Sequence, residues 1–210
     1  IVIVRLTWSI RDRYDIWLYR KRLNMSKTKT IMKESIIDGA FAVFRKYGYE
    51  NLNARSLARE MNCSTQPIYV NFKDMDQVKK IARKLAAERY QEILGEAEKK
   101  YKKLTYSNYY LGIVKLAAYE PMLFKYYYID HQELGKKAFN DYGRETFVEL
   151  NKEYGLKGKA AGKVSKNLFN CVVAYGMLVT LGYTDFDETE ALEAVKRYFV
   201  QSTEKYGFTE

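Results

Sequence analysis

The sequence predicts an all-α fold, and three observations carry that expectation. Apolar residues recur at steps of three and four along most of the chain, no strand-like alternation competes with them, and only two Pro residues interrupt 210 positions. A chain of this length can bury a real core. Its 47% hydrophobic and 30% charged content belongs to a globular protein and excludes a disordered one.

Taken in order, the first helix is announced by the stripe Ile36, Ile37, Ala40, Phe41, Phe44 and Tyr47, with Gly48 as its stop. Residues 53–72 then read as two short helices separated by a tight turn. Leu57, Ala58 and Met61 share one face of the former, and Ile68, Tyr69 and Phe72 share one face of the latter. Asn62 stands where the chain must reverse, because Asn tolerates left-handed backbone better than most residues. Ser64 is the expected cap of the second short helix, with Pro67 tolerated in its first turn. Such a helix-turn-helix presents its second helix to the major groove of DNA.

A long helix follows, from about Asp74 to about Lys100, with Val78, Ile81, Ala82, Leu85, Ala86 and Ile93 inward. Further helices are expected at about 107–119, shortly after Pro121, and at about 132–153, 162–182 and 187–206, the last capped by Asp187. The domain organisation expected is a DNA-binding domain over 25–73 and a helical ligand-binding and dimerisation domain over 74–210.

Charge supports that division. Residues 25–84 carry a net +6 and residues 1–24 a net +4, so the other 126 residues sum to zero. A basic module beside a neutral one suits a phosphate-facing domain joined to a domain of another kind. Residues 1–24 read either as a basic N-terminal extension or as a non-native leader ahead of a start near Met25. They contain no span long enough for a bilayer and no signal-peptide order.

The block Ile36–Phe72 resembles the DNA-binding domain of the TetR family of bacterial transcriptional regulators. Ala40, Phe41, Phe44 and Gly48, then Leu57-Ala58, then Ser64 through Tyr69 to Phe72 carry the likeness, which spans about a quarter of the chain. Asn62 stands where the family usually has Gly, and Met75 where a Lys is common, with Lys73 as a nearby substitute. The resemblance implies that Ser64, Thr65, Gln66 and Pro67 open the reading helix. Gln66 would pair with adenine, and Pro67 or the Thr65 methyl would touch a thymine methyl. Tyr69 and Lys73 are implied phosphate contacts, Asn71 serves either purpose, and Arg55 reaches the backbone or a base edge.

The neutral half is rich in aromatic residues, among the 20 Tyr and 10 Phe of the whole chain. Tyr119, Phe124, Tyr127, Tyr128, His131, Phe139, Tyr142, Phe169 and Tyr175 are candidates to line a pocket for a bulky, partly apolar effector. For any single one of them, plain core packing is the commoner account. Leu168, Val172, Gly176 and Val179, with Leu192, Val195 and Phe199, form stripes on the last two helices. The resemblance implies that these helices pair with their copies in a homodimer, which in turn predicts a palindromic double-stranded operator.

His131 is the only histidine, and no activated Ser or Cys, Gly-rich phosphate loop or metal-ligand spacing accompanies it. The expectation is therefore a non-enzymatic protein with no cofactor and no catalytic residue. The two cysteines, Cys63 and Cys171, lie far apart and fit a reducing, cytoplasmic setting without membrane contact. A ligand-responsive repressor is the leading reading. The alternatives are an activator or effector-independent regulator and, more distantly, an enzyme of unknown class.

Overall fold

Helix α1 (Lys33–Tyr47) buries Ile36, Ala40, Phe41, Val43 and Phe44 along one side. Each fully buried Ile or Phe there contributes about 1.5–3 kcal/mol, so this helix organises the domain that surrounds it. It ends where expected: Gly48 takes φ 87°, a left-handed value that its missing Cβ permits, and its amide bonds back to the Phe44 carbonyl at 2.9 Å. Tyr47, assigned from sequence to the inner stripe, lies exposed beneath the Arg59 guanidinium, 5.9 Å from its ring centre. The computed structural model describes residues 32–101, 106–140, 154–156 and 158–206, so the expected N-terminal extension and Tyr142 lie outside the described residues.

A 3-10 turn (Tyr49–Asn51) leads into α2 (Ala54–Glu60), and α3 (Gln66–Asn71) follows the tight turn. The long helix α4 (Met75–Tyr101) has 27 residues, hence a length of about 40 Å. Asp74 caps it, its Oδ1 accepting from the Gln77 amide at 3.0 Å. Then come α5 (Tyr106–Tyr119), α6 (Pro121–Lys125), a π-helical turn (Tyr126–Asp130) and helical residues 132–140. Helices α7 (Gly158–Thr180) and α8 (Glu188–Tyr206) complete the order. Among the described residues there are no strands, so the fold is all-α, with a helix-turn-helix followed by a helical domain.

Helix α5 is the axis of the second half. Tyr110, Leu111, Ile113, Val114 and Leu116 are fully buried, and α4, α7 and α8 all pack against this helix. A helix apolar all round belongs in the interior. The expected cap of α8 is present, with Asp187 Oδ1 accepting from the Glu190 amide at 2.9 Å. Helix α7 begins at Gly158, before the expected residue 162, and stops at Thr180. The expected helix 132–153 is observed over 132–140, its remainder lying outside the described residues.

Polar links tie the first half to the second. Glu120, between α5 and α6 and 2% exposed, receives Arg45 of α1 and Arg89 of α4. Tyr49 of the 3-10 turn accepts from Arg83 Nη1 of α4 at 2.7 Å, while its ring lies 5.1 Å from that of Tyr126. The described residues from Lys33 onward accordingly pack as one compact unit.

Candidate nucleic-acid interface

The helix-turn-helix is built from strong local signals. Asn53 caps α2 through Oδ1, which accepts from the Arg55 and Ser56 amides at 3.0 Å each, while Ser56 Oγ accepts from the Asn53 amide at 3.1 Å. At the other end, Cys63 N–H bonds to Ala58 O at 2.9 Å and Asn62 N–H to Arg59 O at 3.1 Å. This pair of bonds is a Schellman closure, which needs a left-handed residue between them. Asn62 supplies it with φ 52°, as its place in the sequence implied. Burial pushes the Cys63 thiol up from its ordinary value.

The brace behind the motif is apolar. Leu57 and Ile68 are fully buried, and Phe72 and Ala58 nearly so. Gly39 of α1 allows α2 to approach closely: a Cβ there would lie 2.8 Å from Met61 Cγ. Lys33 caps the arrangement from outside, its Nζ 5.1 Å from the Phe72 ring centre.

Two local expectations are corrected. Ser64 does not cap α3: the residue before the helix is Thr65, whose backbone is already helical (φ −76°, ψ −14°) and whose side chain makes no capping bond. The Thr65 carbonyl instead receives the Ile68 amide at 3.1 Å, and Pro67 has no amide that needs a cap. Tyr69 is not on the inner face with Ile68 and Phe72. It stands 55% exposed, because α3 has fewer than two turns and only Ile68 and Phe72, four apart, reach the core.

The outward face of α3 is therefore rich in side chains able to read DNA. Ser64, Gln66, Tyr69 and Lys73 are exposed, Thr65 and Pro67 half-buried, and Arg55 at the start of α2 is exposed. Asn71 is half-buried and donates to the Pro67 carbonyl at 2.8 Å. Val70, overlooked in the sequence, is 76% exposed. A β-branched apolar residue left in water beside Tyr69 was the available signal, since a thymine methyl is its natural partner.

The aromatic candidates divide differently from expectation. Phe124 and Tyr128 are core, their ring centres 5.2 Å apart, and the Tyr128 and Tyr90 hydroxyls meet at 2.8 Å. Phe139 packs on Phe169 at 4.6 Å, Tyr119 on Phe186 at 5.3 Å and Tyr175 on Tyr198 at 6.5 Å. His131 lies 4.4 Å from the Tyr126 ring centre, with Glu50 and Glu133 at 3.5 and 3.4 Å. Of the eight that are described, Tyr127 lines the cavity beside α4. Helical spacing marks which residues turn inward, and most inward residues meet protein rather than a void.

The residues assigned to dimerisation also turn inward within the protomer. Leu168, Val172, Gly176, Val195 and Phe199 are buried, while Val179 and Leu192 are half-buried. Gly176 serves a close approach inside the chain, since a Cβ there would lie 2.8 Å from the Phe124 ring. The same two helices present a different surface to solvent: Met177, Leu178 and Leu181, with Tyr183 just beyond and Val200 on α8.

Among the described residues no helix is long and apolar enough to cross a membrane, and no cluster of His, Cys, Asp or Glu could hold a metal ion. No protein-family model matches the sequence, and no curated protein matches it significantly. A solved structure does match: a TetR-like transcriptional regulator from Rhodococcus sp. RHA1, at TM-score 0.61 and 12% identity, over 84% of this chain and 98% of that one. The chain thus has the fold of a TetR-like regulator.

Proposed function

We propose that this protein is a sequence-specific DNA-binding transcriptional regulator, a homodimeric repressor released from a palindromic operator by a small, partly apolar effector. The observation that carries this reading is the reader helix itself. Gln66, Tyr69 and Val70 face solvent on α3, while Leu57, Ile68 and Phe72 lock that helix against α1. A helix held from behind and equipped outwardly with an amide, a phenol and an apolar tip suits a major groove. The shared fold with a TetR-like regulator supports the same reading, as does the +6 charge of residues 25–84. It describes a binding protein of the cytoplasm and not an enzyme.

The homodimer is assigned to the solvent face of the last two helices. Met177, Leu178, Leu181 and Tyr183 are large apolar side chains in water, the last two at 61% and 78% exposure. A second copy would remove them from solvent. Such a dimer would set its two readers about 34–36 Å apart, one turn of B-DNA.

Selection of bound duplexes from a random library tests the reading. A palindrome with half-sites one helical turn apart is expected, and the absence of any enriched sequence overturns it. Leu181→Asp is expected to turn a dimer into a monomer in light scattering and to weaken operator retention.

A further inference from the structure

We propose that the cavity beside α4 binds a small aromatic carboxylate, with Arg83 and Lys137 as its counter-charges. The inference rests on the ligand-responsive reading above and gives the effector a chemical class. The cavity measures about 290 Å³ and lies between α4, the π-helical turn and residues 132–140. Its two charged lining residues, Arg83 and Lys137, are both cationic, and no acid lines it. Both are exposed at the rim of the cavity, where an anion would meet two cationic groups and no competing lining acid. Ligand pockets run upward from about 300 Å³, so the space suits one ring with a short acidic arm rather than a fused polycycle.

The walls fit the rest of such a molecule. Tyr90 and Tyr127 lie with ring centres 4.9 Å apart, and Tyr126 meets Tyr127 edge-on at 5.3 Å. Leu134 completes the apolar lining. Burial pushes the Tyr127 phenol up to about 12, so it remains a neutral hydrogen-bond donor at physiological pH. Glu50 and Glu133, on the same side of the fold, are turned to His131 at 3.5 and 3.4 Å, and Glu92 of α4 is paired with Arg89 at 3.0 Å.

Arg83 also connects the cavity to the reader domain. Its Nη1 donates to the Tyr49 hydroxyl at 2.7 Å and its guanidinium lies 5.6 Å from the Tyr49 ring centre. Tyr49 in turn packs on Phe44 of α1 at 5.4 Å. A carboxylate that engages Arg83 through Nη1 competes with that bond, and whatever change in operator affinity follows is matched by an equal change in ligand affinity.

Calorimetry on the full chain with benzoate, phenylacetate and 4-hydroxybenzoate, and with benzamide as the neutral match, tests the proposal. At least one carboxylate should bind, and benzamide about tenfold or more weakly, the worth of one charge-assisted contact. Lys137→Glu should lower carboxylate affinity by a similar factor, and Ala138→Trp should abolish it. Both variants are checked for an unchanged far-ultraviolet spectrum, and if either fails to fold the benzoate–benzamide comparison on the wild type decides. No carboxylate binding at millimolar concentration, equal binding of benzamide, or indifference to Lys137→Glu overturns the proposal. A chain that retains a selected duplex yet ignores every carboxylate sinks this inference alone. One that binds benzoate but enriches no DNA sinks the regulator reading instead.

Discussion

Arg45 and Glu120, 75 residues apart, meet in a two-pronged pair: Nε donates to Oε2 at 2.6 Å and Nη2 to Oε1 at 2.7 Å. Arg89 Nε of α4 adds a third donor to Oε1 at 3.0 Å. The carboxylate joins α1 of the helix-turn-helix half, the long helix and the α5–α6 junction at one point. Parallel forked bonds of this kind fix orientation as well as distance. Any movement of α4 relative to α1 must therefore rearrange this junction or carry it along.

Removal of the shared carboxylate leaves the buried Arg89 guanidinium and the half-buried Arg45 guanidinium with less compensation. Glu120→Ala is expected to destabilise the fold by about 3 kcal/mol, in the range for breaking a buried ion pair. Urea denaturation of wild type and variant measures it. A change below about 1 kcal/mol, the ceiling for a surface pair, would show that the junction contributes little to stability.

The proposed reader face predicts that sequence reading and backbone binding can be separated. Gln66→Ala should weaken binding to the selected operator by about 1–3 kcal/mol and leave non-specific binding nearly intact. Lys73→Ala should weaken binding to every duplex and lower the slope of log affinity against log salt by about 1. Fluorescence anisotropy across a salt series measures both. An unchanged slope for Lys73→Ala removes that residue from the phosphate contacts.

Asn62 sets the turn with φ 52°. Replacement by a β-branched residue forces a side chain into left-handed backbone, at a cost of about 1–2 kcal/mol. Asn62→Val should lower the melting temperature accordingly, while Asn62→Gly should be neutral or stabilising. A melting curve on each variant checks the sign, and equal behaviour of Val and Gly would refute the backbone argument.

Alkaline pH should unfold the second half. Burial raises Tyr126, Tyr127 and Tyr128 above their ordinary value near 10, Tyr127 to about 12. Unfolded, these phenols release protons near pH 10, whereas the folded chain still holds them. The unfolded state then binds fewer protons, and stability falls as pH rises above 10. The stability that these neutral phenols confer is fully present below pH 10. Absorbance at the phenolate band should show a set of tyrosines that ionise only together with loss of helix. Smooth titration of all 20 Tyr before any unfolding would contradict the burial.

Local signals made much of this molecule legible in its sequence. The helical period, the Gly48 stop, the Asn62 reversal and the Asp187 cap depend on neighbours a few residues apart, and each is present as read. The helix-turn-helix was legible for the same reason. The faces of short or crowded helices were not. Tyr69 points outward because α3 is too short for a third inward residue, and Val70 beside it went unnoticed.

Long-range relations needed the tertiary structure. Arg45, Arg89 and Glu120 are unremarkable charges in sequence, joined only when α1, α4 and the α5–α6 junction converge. The spacing of Leu168, Val172 and Gly176 identifies a buried stripe, but a stripe packed inside one chain and a stripe packed between two have the same period. Only the packing of α7 on α5, with Phe124 seated on Gly176, assigns that stripe to the protomer and leaves Met177, Leu178 and Leu181 to solvent. Periodicity records which side of a helix avoids water, whereas the partner that covers it is decided by how distant elements meet.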